Sequence, residues 1–231
     1  MTASLALADT TAHSLTPLLA RLRAGAGAET GGGSGPERPG SRVVLGIVGA
    51  PGAGKSTLAQ ALVSALRGRE TPAAYVPLDG FHLADAELAR LGLLGRKGAP
   101  ETFDGWGYAA LLRRLRERPD HVVYAPGFER TLEQPLAGTI AVDRQAAVVV
   151  TEGNYLLLDR PAWRAARSEL DEVWFVRVPE PVRLARLHER HVRFGKSPAQ
   201  ARAWMDSVDE PNARLVASSA PAADLVIDLP G

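Results

Sequence analysis

Short apolar runs alternate with stretches of helical periodicity along most of this chain. Residues 43–48, 73–78, 122–125, 146–151, 172–178 and 225–229 read as strands, several of them continuously apolar. Residues 56–66, 108–118, 161–170, 181–194 and 198–218 carry apolar positions at helical spacing. Asp104 stands where a helix cap is expected, and Pro181 opens its helix where a missing N–H costs nothing. Strands without polar alternation, separated by helices, predict a parallel sheet covered on both faces. The expected class is therefore α/β.

The N-terminal part differs. Leu15, Leu18, Leu19 and Leu22 make a helical stripe, so the first 23 residues are expected to form one amphipathic helix. Residues 24–40 then hold seven glycines and two prolines among 17 positions, too few apolar groups to offset the entropy of ordering, and read as a flexible linker. The predicted organisation is residues 1–40 as helix plus linker and residues 41–231 as one domain. No repeat of 20–50 residues appears.

Composition narrows the classes. A length of 231 residues with 45% hydrophobic and 23% charged side chains is ordinary for a globular chain able to bury a full core. A net charge of +1 gives no sign of a nucleic-acid binder. The absence of cysteine excludes disulfides, Cys-ligated metal and thiol catalysis. The longest apolar runs fall far short of the ~20 residues that span a bilayer, and the first residues lack a basic segment ahead of an apolar one. A cytoplasmic chain with no membrane partner is expected. Only three of the 27 basic residues are lysines, Lys55, Lys97 and Lys196, so each draws attention.

The strongest motif is Gly49-Ala50-Pro51-Gly52-Ala53-Gly54-Lys55-Ser56-Thr57, which matches G-x-x-x-x-G-K-[ST] in full. An apolar strand runs into it and a helix runs out. Its glycines let backbone N–H groups and a helix N-terminus approach phosphate oxygens. Lys55 is placed for the β- and γ-phosphates and Ser56 for Mg²⁺. The chain lacks an Asn-Lys-x-Asp motif for reading guanine, so the nucleotide expected is ATP.

Three further features point to phosphoryl transfer. Asp79, in Pro77-Leu78-Asp79-Gly80-Phe81-His82, ends a strand expected to lie beside the P-loop strand, where a carboxylate can take a proton from an attacking hydroxyl. A plain Asp-Gly turn is the other reading. Glu152 ends the run Val148-Val149-Val150-Thr151 and suits the Mg²⁺ side of a P-loop enzyme, with Asn154 next to it as a substrate-side candidate. Arg183, Arg186, Arg190 and Arg193 lie on one face of a helix, and Gly195-Lys196-Ser197-Pro198 breaks it. That pattern fits a helical lid whose Arg186 and Arg190 stabilise transferred charge, or a solvated face paired with Glu180 and Glu189.

Together, residues 49–57, 77–82, 96–104, 124–130 and 152–158 resemble the uridine kinase, phosphoribulokinase and bacterial pantothenate kinase superfamily. The resemblance runs from about residue 42 to the end of the chain. It is strongest to a subgroup labelled nucleoside/nucleotide kinase-like, some of whose members are provisionally named as fructose-transport-associated kinases. It implies a P-loop fold with a five-stranded parallel sheet, flanking helices and an Arg-bearing lid. It also implies Asp79 as base, Glu152 on the metal side, and His82, Arg96, Lys97, Phe128 and Arg130 toward substrate. Glu210-Pro211-Asn212-Ala213 resembles a segment that packs near the nucleotide. The stretch Phe128-Glu129-Arg130-Thr131-Leu132-Glu133 departs from the uridine kinase pattern, which argues against uridine itself. The expectation is a kinase moving the γ-phosphoryl of ATP to a hydroxyl of a nucleoside, sugar or pantothenate-like alcohol, with a homodimer compatible with the chain. An ATP-binding switch with little transfer is the alternative.

Overall fold

The apolar run Val43–Val48 is buried at all six positions and forms the middle of the sheet. The computed structural model describes residues 3–6, 15–27 and 42–231. Strands are β1 (Ala3–Ala6), β2 (Val43–Val48), β3 (Ala73–Pro77), β4 (Val123–Glu129), β5 (Gln134–Val142), β6 (Val148–Glu152), β7 (Glu172–Arg177) and β8 (Leu225–Asp228). Helices are α1 (Thr16–Gly27), α2 (Lys55–Arg67), α3 (Asp85–Arg90), α4 (Gly105–Arg116), α5 (Pro161–Arg167), α6 (Glu180–Arg193), α7 (Pro198–Trp204) and α8 (Glu210–Ala217).

The main sheet runs β1-β8-β7-β2-β6-β3, parallel at every pairing. The expected five-stranded parallel sheet is thus present from β8 to β3, with β1 added at one edge. Two apolar cores cover its faces. One packs α4 and α5 residues such as Tyr108, Leu112 and Trp163 against Val44 and Val149. The other packs α2 and the α1 stripe against Leu45 and Val150.

Three expectations change. Strand β6 lies between β2 and β3, so Asp79 is one strand further from the P-loop than the sequence pattern implied. All five β6 side chains are buried, which suits an interior position, whereas Tyr75 leaves β3 partly open at the edge. The N-terminal segment is not one helix. Ala3–Ala6 pairs in register with Leu225–Asp228, because the free edge of β8 satisfies backbone groups that a local helix would otherwise satisfy. The leucine stripe itself holds, with Leu15, Leu18, Leu19 and Leu22 all buried, and α1 continues through Gly27 into the stretch read as linker. Residues 28–40, the rest of that stretch, lie outside the described residues. Finally, β5 was not expected. Pro135 and Gly138 mask its pattern, and antiparallel pairing to β4, with an irregularity between Ala125 and Gly127, supplies the order.

Arg42 locks the entry to the central strand. Its buried guanidinium donates to the carbonyls of Ala146, Leu115 and Asp143 at 2.8 Å each, and of Arg144 at 3.2 Å. It joins the last turn of α4 to the approach to β6. Arg42→Met leaves these acceptors without their donor and is expected to cost about 3–5 kcal/mol, read as a shifted urea midpoint. Among the described residues no helix is long and apolar enough to cross a membrane.

Candidate active site

Strands β2, β6 and β3 lie side by side, and the chain leaves their carboxyl ends carrying the P-loop, Glu152 and Asp79. The loop needs its glycines here. Gly52 and Gly54 have φ of +83° and +91°, and a Cβ on Gly52 would sit 2.7 Å from the Arg183 carbonyl oxygen. Helix α6 is therefore pressed directly onto the loop. Lys55 curls back so that Nζ donates to the Ala50 carbonyl at 3.2 Å. The side chain is buried, and burial is the main cause lowering its pKa, against the pull of Glu152 and Asp79.

Glu152 is buried and accepts on Oε1 from Ser56 Oγ at 2.9 Å and from Tyr75 OH at 2.8 Å. Burial raises its pKa, and the Asp79 charge adds to that rise. Tyr75 went unnoticed in the sequence because it reads as one more apolar position of a strand.

Asp79 sits in the tight turn Leu78–Phe81. A Cβ on the next residue, Gly80, would overlap the Pro126 carbonyl, so β4 fixes the position of this turn. Arg130 Nη2 donates to Asp79 Oδ2 at 2.7 Å. Burial works to raise the Asp79 pKa, but His82, Arg130, Lys55 and Arg190 outweigh it together and hold the carboxyl below its usual value.

His82 lies between two rings, with centroids 4.0 Å from Phe103 and 4.9 Å from Phe128. Its Nδ1 is 2.8 Å from the Asp79 carbonyl oxygen, so Nδ1 bears the proton. Burial, foremost, lowers its pKa below the ordinary 6.5. The unfolded chain then binds more protons than the folded one in the interval just below that value. His82 therefore contributes stability that is complete above about pH 6.5 and declines as pH falls, by at most about 1.4 kcal/mol per pH unit. His82→Gln is expected to flatten this limb in urea titrations from pH 7 to pH 5.

These groups face one cavity of about 340 Å³. Pro51, Lys55, Asp79, His82, Lys97, Phe128, Arg130, Glu152, Asn154 and Arg190 all line it. Arg96 does not. It is exposed and paired with Glu101 at 2.5 Å, because the short turn Leu94–Arg96 directs it outward while Lys97 turns in.

The arginine face of α6 divides. Arg183 is buried and held by Glu180 and Glu210 at 2.6 Å each, with Nη1 donating to Pro51 O at 3.2 Å. It ties α6 to the P-loop and to α8. Arg193 is exposed and paired with Glu189 at 2.8 Å. Arg186 extends its Nη1 to 3.8 Å from the place of a Gly54 Cβ. Arg190 lines the cavity and makes no ion pair with a described residue. Burial lowers its pKa most, and Arg130 adds to this, against Asp209, Asp79 and Glu133.

Sequence reasoning missed Asp85, Glu133, Asp209 and Trp204 on the same cavity, which His191 of the basic α6 region lines as well. His191 Nε2 and Asp209 Oδ2 are 2.7 Å apart, and Lys196 lies 5.0 Å from the Trp204 ring centroid. Asp209 ends a π-helical turn between α7 and α8, a break in periodicity that no spacing rule exposes.

No family model matches the chain. Individual proteins do. The ATP-dependent kinase-like protein notR' of Aspergillus versicolor is 39% identical over 133 residues, 54% of this chain and 77% of that protein. A Schizosaccharomyces pombe protein provisionally named a uridine kinase is 34% identical over 160 residues, 67% of this chain and 68% of its own. The crystal structure of a provisionally named fructose transport system kinase from Silicibacter sp. TM1040 is 38% identical, covers 90% of this chain and 98% of its own, and superposes with a TM-score of 0.76. The chain belongs to the P-loop kinases of the uridine kinase and pantothenate kinase superfamily. It is accordingly an ATP-dependent small-molecule kinase, and the P-loop, Asp79 and Glu152 described above take their places at the carboxyl edge of its sheet.

Proposed function

We propose that this kinase transfers the γ-phosphoryl group of Mg·ATP to a hydroxyl of a small metabolite, with Asp79 as general base. One observation carries the reading: Lys55 of the P-loop and the Asp79 carboxylate face the same cavity, so a triphosphate and an alcohol bound there meet. The hydroxyl oxygen attacks the γ-phosphorus, its proton passes to Asp79, and the bond to the β-phosphate oxygen breaks to release ADP. Lys55 and Arg190 bear on the charge of the transferring group. Arg186, beside Gly54, serves the phosphates held by the loop.

The donors on this side suit Mg²⁺. Ser56 Oγ and Glu152 Oε1 are hard oxygens 2.9 Å apart, and among the described residues no group of three or more acidic or histidine side chains forms a dedicated metal cage. Mg²⁺ characteristically takes one or two protein oxygens and leans on phosphates and water for the rest. Ser56 and Glu152 would hold it, and bound there it neutralises charge on the β- and γ-phosphates.

The test is a coupled ADP-release assay with Mg·ATP against nucleosides, sugars, sugar phosphates and hydroxy acids. Strong stimulation by one acceptor is the expected outcome. Slow hydrolysis that no acceptor stimulates would instead favour an ATP-dependent switch.

A further inference from the structure

One wall of the cavity is organised around Phe128. Lys97 Nζ lies 5.7 Å from its ring centroid and Arg130 Cζ 5.4 Å, while His82 packs against the same ring. Phosphoryl transfer does not by itself require two cations there, since Lys55 and Arg190 face the same cavity and are available to the triphosphate. The donors on these two cations are only partly used. Of the three N–H groups of Lys97, one goes to Asp85 Oδ1 at 2.6 Å and one to the Glu133 carbonyl. Of the five on Arg130, one goes to Asp79. The acids of that region do not absorb the remainder. Asp85 is taken by Lys97, Asp209 pairs with His191, and Glu133 is exposed on the rim.

A neutral alcohol would leave these donors facing only its hydroxyls. A carboxylate or phosphate presents acceptors alone, which suits the N–H donors that Lys97 and Arg130 keep free beside their pairs with Asp85 and Asp79. We propose that the phosphate acceptor is an alcohol that also carries an anionic group, a carboxylate or a phosphate, seated against Phe128 between Lys97 and Arg130. This rests on the kinase reading above. It has a consequence for the base. An anion next to Arg130 competes with Asp79 for the guanidinium, so the carboxylate gains proton affinity as the acceptor arrives.

The experiment uses the full chain at saturating Mg·ATP with three arms: hydroxycarboxylic acids, sugar phosphates, and neutral nucleosides and sugars. An acceptor from one anionic arm is expected to exceed every neutral compound in kcat/KM by roughly 100-fold, and the arm it comes from identifies the anion. Lys97→Met is expected to raise the acceptor KM roughly tenfold or more with KM for ATP unchanged, and Lys97→Arg to recover part of the loss. Urea midpoints of both variants show whether the fold is intact. A neutral compound as best acceptor, or a folded Lys97→Met with unaltered acceptor KM, overturns this inference and leaves the kinase reading standing. Stimulation by no compound in any arm overturns both.

Discussion

Asp79→Asn is expected to lower turnover by roughly 10²–10⁴-fold while leaving ATP affinity nearly unchanged. The substitution keeps the size of the side chain and its hydrogen-bond acceptor toward Arg130, and it removes the basic oxygen. The position of the group is secured independently, because the turn Leu78–Phe81 rests on the Pro126 backbone through Gly80. Loss of the fold is thus not the expected route to inactivity. A factor of 10²–10⁴ corresponds to about 2.7–5.4 kcal/mol of transition-state stabilisation. The cations Arg130, Lys55 and Arg190 favour the ionised carboxylate at neutral pH, so the wild-type group is ready to accept a proton. Single-turnover kinetics with a fluorescent ATP analogue separate binding from chemistry. Turnover within a few-fold of wild type would remove Asp79 from the role of base.

Arg190→Met is expected to cost about 10³-fold in kcat, the lower end of what an arginine directed at a transferring phosphoryl contributes. Its guanidinium faces the cavity with no ion-paired partner among the described residues. Burial and the nearby Arg130 disfavour its charge more than Asp209, Asp79 and Glu133 favour it, so a triphosphate would relieve that penalty. Arg193, three residues on, is exposed and engaged with Glu189, and Arg193→Gln serves as the control with kcat within about twofold of wild type. Equal losses in the two variants would mean that the basic face acts as a diffuse field and that Arg190 has no particular role.

The contrast between these arginines shows where sequence reading stops. Spacing of three, four and three places Arg183, Arg186, Arg190 and Arg193 on one side of a helix, and they are there. Spacing has no access to partners that arrive from elsewhere in the chain. Glu210 comes from α8, 27 positions later, and turns Arg183 into a structural brace between α6 and the P-loop. Arg96 and Lys97 are adjacent in sequence, and the family resemblance places both toward substrate. One short turn sends the first to Glu101 at the surface and the second into the cavity.

By itself, the sequence determined the features that depend on local chemistry and periodicity. The buried run of β2, the P-loop after it, the strand-ending Asp79 and Glu152, the Asp104 cap on α4 and the break after α6 were all legible, because each is encoded within about ten neighbouring residues. Only the tertiary structure decided the rest. It inserted β6 between β2 and β3, drew Ala3–Ala6 to the edge of β8, ordered β5 against β4, and brought Tyr75, Asp85, Glu133, His191 and Asp209 to the site. The reason is physical. A strand end or a phosphate loop is specified by its own backbone and side chains, whereas strand order, ion pairing and the walls of a cavity depend on which distant groups satisfy one another when the layers pack.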